Sequence, residues 1–151
     1  MKWIGQQTFN GSTLKVTGNL VTTGNTKIKL LFHHFSADDA IRPILVDDTG
    51  QASEQFFLES YSSAPLYATV DIPTGYKATA VMVYGDTAGD AIEVWEMQID
   101  SKTGVSKGTG NIDTEINITD VTSSTTNYLL IQVANASGSE VHGGYVTIAV
   151  A

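Results

Sequence analysis

The clearest rhythm of apolar and polar positions lies in the last third of the chain. Between Ile112 and Ala151 lie INITDV, which begins at Ile116, the turn cluster TSSTTN, then YLLIQVANA, SGSE and VHGGYVTIAVA. Leu129, Ile131 and Val133 alternate with Leu130, Gln132 and Ala134, and Val146, Ile148 and Val150 alternate with Tyr145, Thr147 and Ala149. A period of two assigns each set to one face of a strand. The β-branched and aromatic residues that dominate suit a pleated, half-buried surface. Val133 falls on the core face by this reading. The final strand runs to the last residue of the sequence, which predicts a place inside a sheet or an interface.

Earlier segments repeat the pattern. LYATVDI alternates Leu66, Ala68 and Val70 with Tyr67, Thr69 and Asp71, and IPTGY follows as a turn built on Pro73 and Gly75. KATAVMVYG reads as a strand, GDTAGD as a loop, and AIEVWEMQI as a strand with Ile92 and Val94 set against Trp95, Met97 and Ile99. DSKTGVSKGTGN reads as a turn-rich connection. KIKLLFHHF is apolar on both faces, which predicts a central strand. Ile44 to Val46 forms a short strand after Pro43, an entry or edge position. EQFFLESYSSAP fits either a short helix from Ser53 or another strand. Regularly spaced strands with turns between them, and no sustained helical period, predict an all-β fold, a jelly-roll-like antiparallel β-sandwich spanning 27–151.

Residues 1–26 differ. Trp3, Ile4 and Phe9 are apolar in a polar context, and Leu14, Val16, Leu20 and Val21 form two very short strands between TGN turns. Strands this short bury little surface alone. The segment reads as an extended N-terminal β arm or short shaft. Trp3, Ile4, Phe9, Leu14, Val16 and Leu20 are its candidate oligomer interface, and a homotrimer is favoured. A hairpin folded back on its own domain is the alternative.

Composition narrows the partners. Hydrophobic residues make up 42% of the 151-residue chain, as in an ordinary globular domain, which argues against disorder. Charged residues make up only 16%, against about a quarter in typical domains, and hydroxyl, amide and glycine residues replace them. The net charge of −8 argues against a nucleic-acid partner, whose phosphates need a basic footprint, and against an anionic membrane surface. No cysteine is present, so neither a disulfide framework nor a thiolate metal site is expected. MKWIGQQTFNGS contains no apolar run long enough for a signal peptide, and no segment is long enough to span a bilayer.

Catalytic signals are weak. His33 and His34 would point to opposite faces of a strand, so they suit a structural role better than one metal, and nothing in the sequence brings His142 to either. The pairs Asp38–Asp39 and Asp47–Asp48 lack the spaced ligands and sharp-turn glycine of a dedicated calcium loop. Glu93 and Glu96 flank Trp95 but face opposite ways on a strand, which excludes a glycosidase dyad. No nucleophile elbow, P-loop or dinucleotide fingerprint occurs, and no enzyme activity, metal or other cofactor is expected. Acceptor sequons at Asn10, Asn117 and Asn135 have no meaning without export. Tyr61, Tyr67, Tyr76, Tyr84 and Trp95 could stack on sugars where some of them cluster. Tyr76, Tyr84 and Trp95 are the candidate glycan contacts, and core packing is the ordinary role of such rings.

Two stretches carry a family resemblance. MKWIGQ resembles the start of many fibre-like proteins of marine phages, including cyanophages. IPTGYKATAVMVYG, followed by VSKGTGNIDTEINITDVTSSTTNYLLIQVANASGSEVHGGYVTIA, resembles a C-terminal module of such proteins. The resemblance covers Ile72 to Ala149 and implies a tail-fibre, spike or head-decoration protein. Such a protein is made in the host cytoplasm and assembled into the virion beside other virion proteins. It implies no catalytic or binding residues. The long shaft that usually separates the two ends is missing, which favours a compact virion component or a repeating filament subunit. A carbohydrate-binding module that contacts a host surface glycan is the alternative.

Overall fold

The computed structural model describes residues 26–37, 44–46, 57–59, 64–134 and 139–151. Eleven strands are present among them: β1 (Thr26–Leu31), β2 (Ser36–Ala37), β3 (Ile44–Val46), β4 (Phe57–Glu59), β5 (Leu66–Val70), β6 (Tyr76–Gly85), β7 (Ala91–Gln98), β8 (Gly104–Asn111), β9 (Ile116–Thr122), β10 (Asn127–Ala134) and β11 (Glu140–Val150). A six-stranded sheet has the order β3-β4-β11-β6-β9, with β1 also paired to β11, and a five-stranded sheet has the order β2-β5-β10-β7-β8. All pairings are antiparallel.

The topology follows from nested pairing. β7 pairs with β8, β6 with β9, β5 with β10 and β4 with β11. The chain from β4 onward is therefore one long hairpin, closed at the β7–β8 turn. Its coiling adds the β6–β11 and β7–β10 ladders and splits the ribbon into two packed sheets. This is the jelly-roll solution to the problem of open sheet edges. The protein is an antiparallel β-sandwich.

The core lies between the sheets and is filled by the alternating sets. Leu66, Ile92, Val94, Leu129, Ile131 and Val133 face it from the five-stranded sheet, and Val81, Val83, Val121, Val141 and Val146 from the six-stranded one, each almost fully buried. Each such side chain contributes about 1.5–3 kcal/mol on burial. β11 is paired on both sides, with β6 on one and with β1 and β4 on the other. It is thus an interior strand, as its apolar rhythm predicts. Between β5 and β6, Tyr76 N–H donates to the Pro73 carbonyl at 3.0 Å, and Gly75 takes the positive φ of 86° that the turn requires.

Three expectations are corrected. KIKLLFHHF is not a central strand: β1 ends at Leu31, pairs among the described residues only with β11, and gives way to a 3-10 turn, Phe32–His34. His33 and His34 therefore do not point to opposite faces, and their rings meet edge-on at 4.7 Å. GVSKGTGN is a strand, not a loop. Its apolar alternation is missing because β9 supplies the packing: a Cβ on Gly110 would lie 2.5 Å from Ile116 Cγ1, and one on Gly108 3.0 Å from Ile118 Cγ2. The glycines let two isoleucines seat against the backbone of β8. In EQFFLESYSSAP, Phe57–Glu59 is a strand, and the rest of that segment up to Ser63 lies outside the described residues. So do the arm residues Trp3, Ile4, Phe9, Leu14, Val16 and Leu20, the Asp38–Asp39 and Asp47–Asp48 pairs, and Asn10, Tyr61 and Asn135. Among the described residues no helix is long and apolar enough to cross a membrane.

Candidate functional site

Strand alternation gives each sheet an outer face. On the five-stranded sheet, strand register orders that face into rows. Thr69, Leu130, Trp95 and Ser106 form a middle row across β5, β10, β7 and β8. Tyr67, Gln132, Glu93 and Thr109 form the row on one side, and Tyr128, Met97 and Gly104 the row on the other. At strand spacings of about 4.8 Å and a rise of about 3.4 Å per residue, Trp95 stands roughly 8 Å from Tyr128 and roughly 12 Å from Tyr67, backbone to backbone. Trp95, Tyr67, Tyr128, Leu130 and Gln132 are all half-buried.

The rows run between two depressions. One is an open groove of about 760 Å³ at the end of the sandwich, where Thr69, Asp71 and Tyr128 meet Ile99, Ser101 and Thr125. Ile99 is 72% exposed there, an apolar side chain at the rim of a polar groove. Its backbone is fixed, since Ile99 N–H donates to the Thr126 carbonyl at 2.8 Å. The second depression, about 330 Å³, lies at the opposite end and is lined by Glu93, Thr109, Asn111 and Gln132. Ser106 Oγ donates to Glu93 Oε1 at 3.2 Å and orients that carboxylate on the outer face.

Glu96 has a different environment. A β-bulge where β7 meets β8 leaves Lys107 as the extra residue, turned toward the gap between the sheets. Lys107 Nζ lies 2.7 Å from Glu96 Oε2, and Asn127 Nδ2 donates to Glu96 Oε1 at 2.8 Å. The Asn127 amide and the Lys107 ammonium hold the Glu96 carboxyl below the usual glutamate range against the opposing effect of burial. Asn127 also donates to the Thr122 carbonyl at 2.9 Å and accepts from Ser124 N–H at 2.8 Å. This cluster fastens the β9–β10 turn, which forms one wall of the larger groove. Glu93 and Glu96 point into different spaces.

No protein-family model matches the chain, and no curated protein matches it. Similar solved structures exist. One contains the N-terminal CBM22-1 and GH10 modules of endo-1,4-β-D-xylanase 10B from Clostridium thermocellum, complexed with xylohexaose. The match has a TM-score of 0.50 at 14% identity, covering 82% of this chain. This chain spans only 28% of that one. Another is TmCBM61 in complex with β-1,4-galactotriose, at a TM-score of 0.36 and 15% identity, with 80% of this chain and 90% of that one covered. The likeness is one of fold.

The structure separates the three aromatic residues singled out in the sequence. Trp95 stands in the middle row of the five-stranded face. Tyr84 lies on the outer face of the six-stranded sheet, edge-on to Tyr145 at 6.2 Å, and Tyr76 packs against the core. They form no common surface, because β6 and β7 belong to different sheets. Trp95 gathers Tyr67 and Tyr128 instead. The signal for Tyr128 was its alternation with buried Leu129, which sends it outward beside Leu130 and Gln132. His142, in β11, meets Glu140 at 3.3 Å and Phe57 at 6.3 Å between ring centroids, and among the described residues no three potential metal ligands converge.

Proposed function

We propose that this protein is a non-catalytic binding module that takes a glycan chain on the outer face of its five-stranded sheet. The observation that carries the reading is the ordered face itself. Trp95, Tyr67 and Tyr128 stand in three successive rows, interleaved with the hydroxyl, amide and carboxylate groups of Thr69, Gln132, Glu93 and Ser106. Sugar rings offer apolar C–H faces that rest on aromatic rings and hydroxyl rims that need polar partners. Rigid aromatics supply contact area at small entropic cost. Depressions at both ends suit an extended ligand rather than a single small molecule. The xylanase modules were solved in complex with xylohexaose, and their likeness to this chain is one of fold.

The test is a glycan array probed with the purified protein, followed by titration of whichever oligosaccharide binds. The expected result is saturable binding that falls at least about tenfold in Trp95→Ala, a loss of about 1.4 kcal/mol, with the circular dichroism spectrum unchanged. An array without a ligand, or a Trp95→Ala variant that binds as well as the parent, contradicts the reading.

The module is further proposed to act within a virion, as a tail-fibre, spike or decoration component in host attachment. The family resemblance over Ile72–Ala149 supports this. A trimer or larger assembly is expected in native mass measurement, and a monomer at micromolar concentration contradicts that part of the proposal.

A further inference from the structure

We infer that this face selects uncharged glycans and rejects anionic ones, with Asp71 and Glu93 as the specificity-determining groups. The inference rests on the glycan-binding reading and deepens it. Among the described residues of this face and its two depressions, Asp71 and Glu93 carry the charge, and no lysine, arginine or histidine lines either depression. They occupy opposite ends: Asp71 lines the larger groove and Glu93 the smaller one.

The cations among the described residues are directed elsewhere. The bulge in β8 turns Lys107 inward onto Glu96, where its side chain is only 16% exposed. Lys27 and Lys29 stand opposite Thr147 and Tyr145 on the outer face of the other sheet, and Lys77 pairs there with Asp120 at 2.6 Å. Lys102, in the turn after β7, lines neither depression.

The chemistry follows from what an ionised carboxylate offers. It only accepts hydrogen bonds, and it accepts them strongly from hydroxyl groups. A neutral sugar presents hydroxyl donors along its whole length. A uronate, sulfate or sialate presents a second anion, with no guanidinium or ammonium among the described residues of this face to meet it. Juxtaposed like charges weaken a complex strongly. The net charge of −8 adds repulsion before contact.

The experiment is calorimetric titration with two oligosaccharide sets of matched length, one neutral and one built of uronates, at low and at moderate salt. Wild-type protein is expected to bind its neutral ligand and to bind the uronate chain at least about tenfold more weakly. The gap should narrow as salt screens the repulsion. In the Asp71→Asn, Glu93→Gln double variant, affinity for the uronate chain should rise. Uronate binding as tight as neutral binding, and abolished by Trp95→Ala, overturns the selectivity while leaving the glycan face intact. A gap that does not respond to salt, or uronate affinity that does not rise in the folded double variant, overturns the assignment to Asp71 and Glu93. Binding of neither set overturns this inference together with the reading beneath it.

Discussion

On the six-stranded sheet, Tyr145 is occupied by its own neighbours: Lys27 Nζ sits 3.5 Å above its ring, Glu115 Oε2 accepts its hydroxyl at 2.8 Å, and Tyr84 meets it edge-on. On the five-stranded sheet, Trp95 shares its row with Thr69, Leu130 and Ser106, and the tyrosines stand in the rows on either side. The two faces have similar aromatic content. They differ in what surrounds the rings. Among the described residues the first face carries three lysines, two of them engaged with Tyr145 and Asp120; the second carries carboxylates and hydroxyls without a cation, between two depressions. On the proposed reading, aromatic residues mark a binding face not by number but where strand register spaces them across a sheet with hydroxyl, amide and carboxylate groups between them.

The largest expected effect removes both faces together. Val133→Asp places an unpaired carboxylate at a fully buried position between the sheets. It should destabilise the domain by more than about 4 kcal/mol, with loss of the β-sheet dichroism signal. A folded variant would mean that the core does not hold the two faces in place. Next comes a contrast between the faces: Trp95→Ala should abolish or strongly weaken glycan binding, whereas Tyr84→Ala should leave affinity within about twofold, since rim or remote positions contribute little. Equal losses in the two variants would break the comparison.

A smaller effect sharpens it through packing. Gly110→Val drives a side chain into Ile116 across the β8–β9 contact, at a cost of about 1–3 kcal/mol in denaturant unfolding. It should also distort the smaller depression, which Gly110 helps to line. Smallest is the ionic cluster behind the larger groove. The Glu96 carboxyl is held below its ordinary range, so its contribution is present above the unfolded-state pKa and is lost as pH falls through the depressed folded-state value. Glu96→Gln should cost about 1 kcal/mol near neutral pH and flatten the acid side of the stability profile. Unchanged acid sensitivity in that variant would show that Glu96 does not contribute this slope.

Much of the scaffold is legible in the chain. β5, β7, β10 and β11 announce themselves because each faces the core on one side, so their apolar residues recur every second position. β8 does not, since it is an edge strand whose glycines serve the isoleucines of β9, and that need is invisible until β9 is placed against it. His33 and His34 mislead for a related reason: the 3-10 turn carries the chain from one sheet toward the other, and local sequence continues the strand pattern past the point where pairing stops. Trp95 is legible as a half-buried aromatic between two acids. Tyr67 is legible only as one of several rings able to stack and Tyr128 only by its alternation with Leu129; their place beside Trp95 is not legible, because they lie in β5 and β10, far apart in sequence, and only the register of the two ladders joins them into one face.

The most direct measurement is a two-dimensional amide NMR titration of the isotopically labelled protein with a neutral oligosaccharide taken from the array. The account predicts that shifts concentrate on Thr69, Trp95, Tyr128, Leu130 and Gln132, including the Trp95 indole N–H, while Lys27, Tyr84 and Tyr145 remain still. Shifts concentrated on Lys27, Tyr84 and Tyr145, with the Trp95 row unmoved, would contradict it.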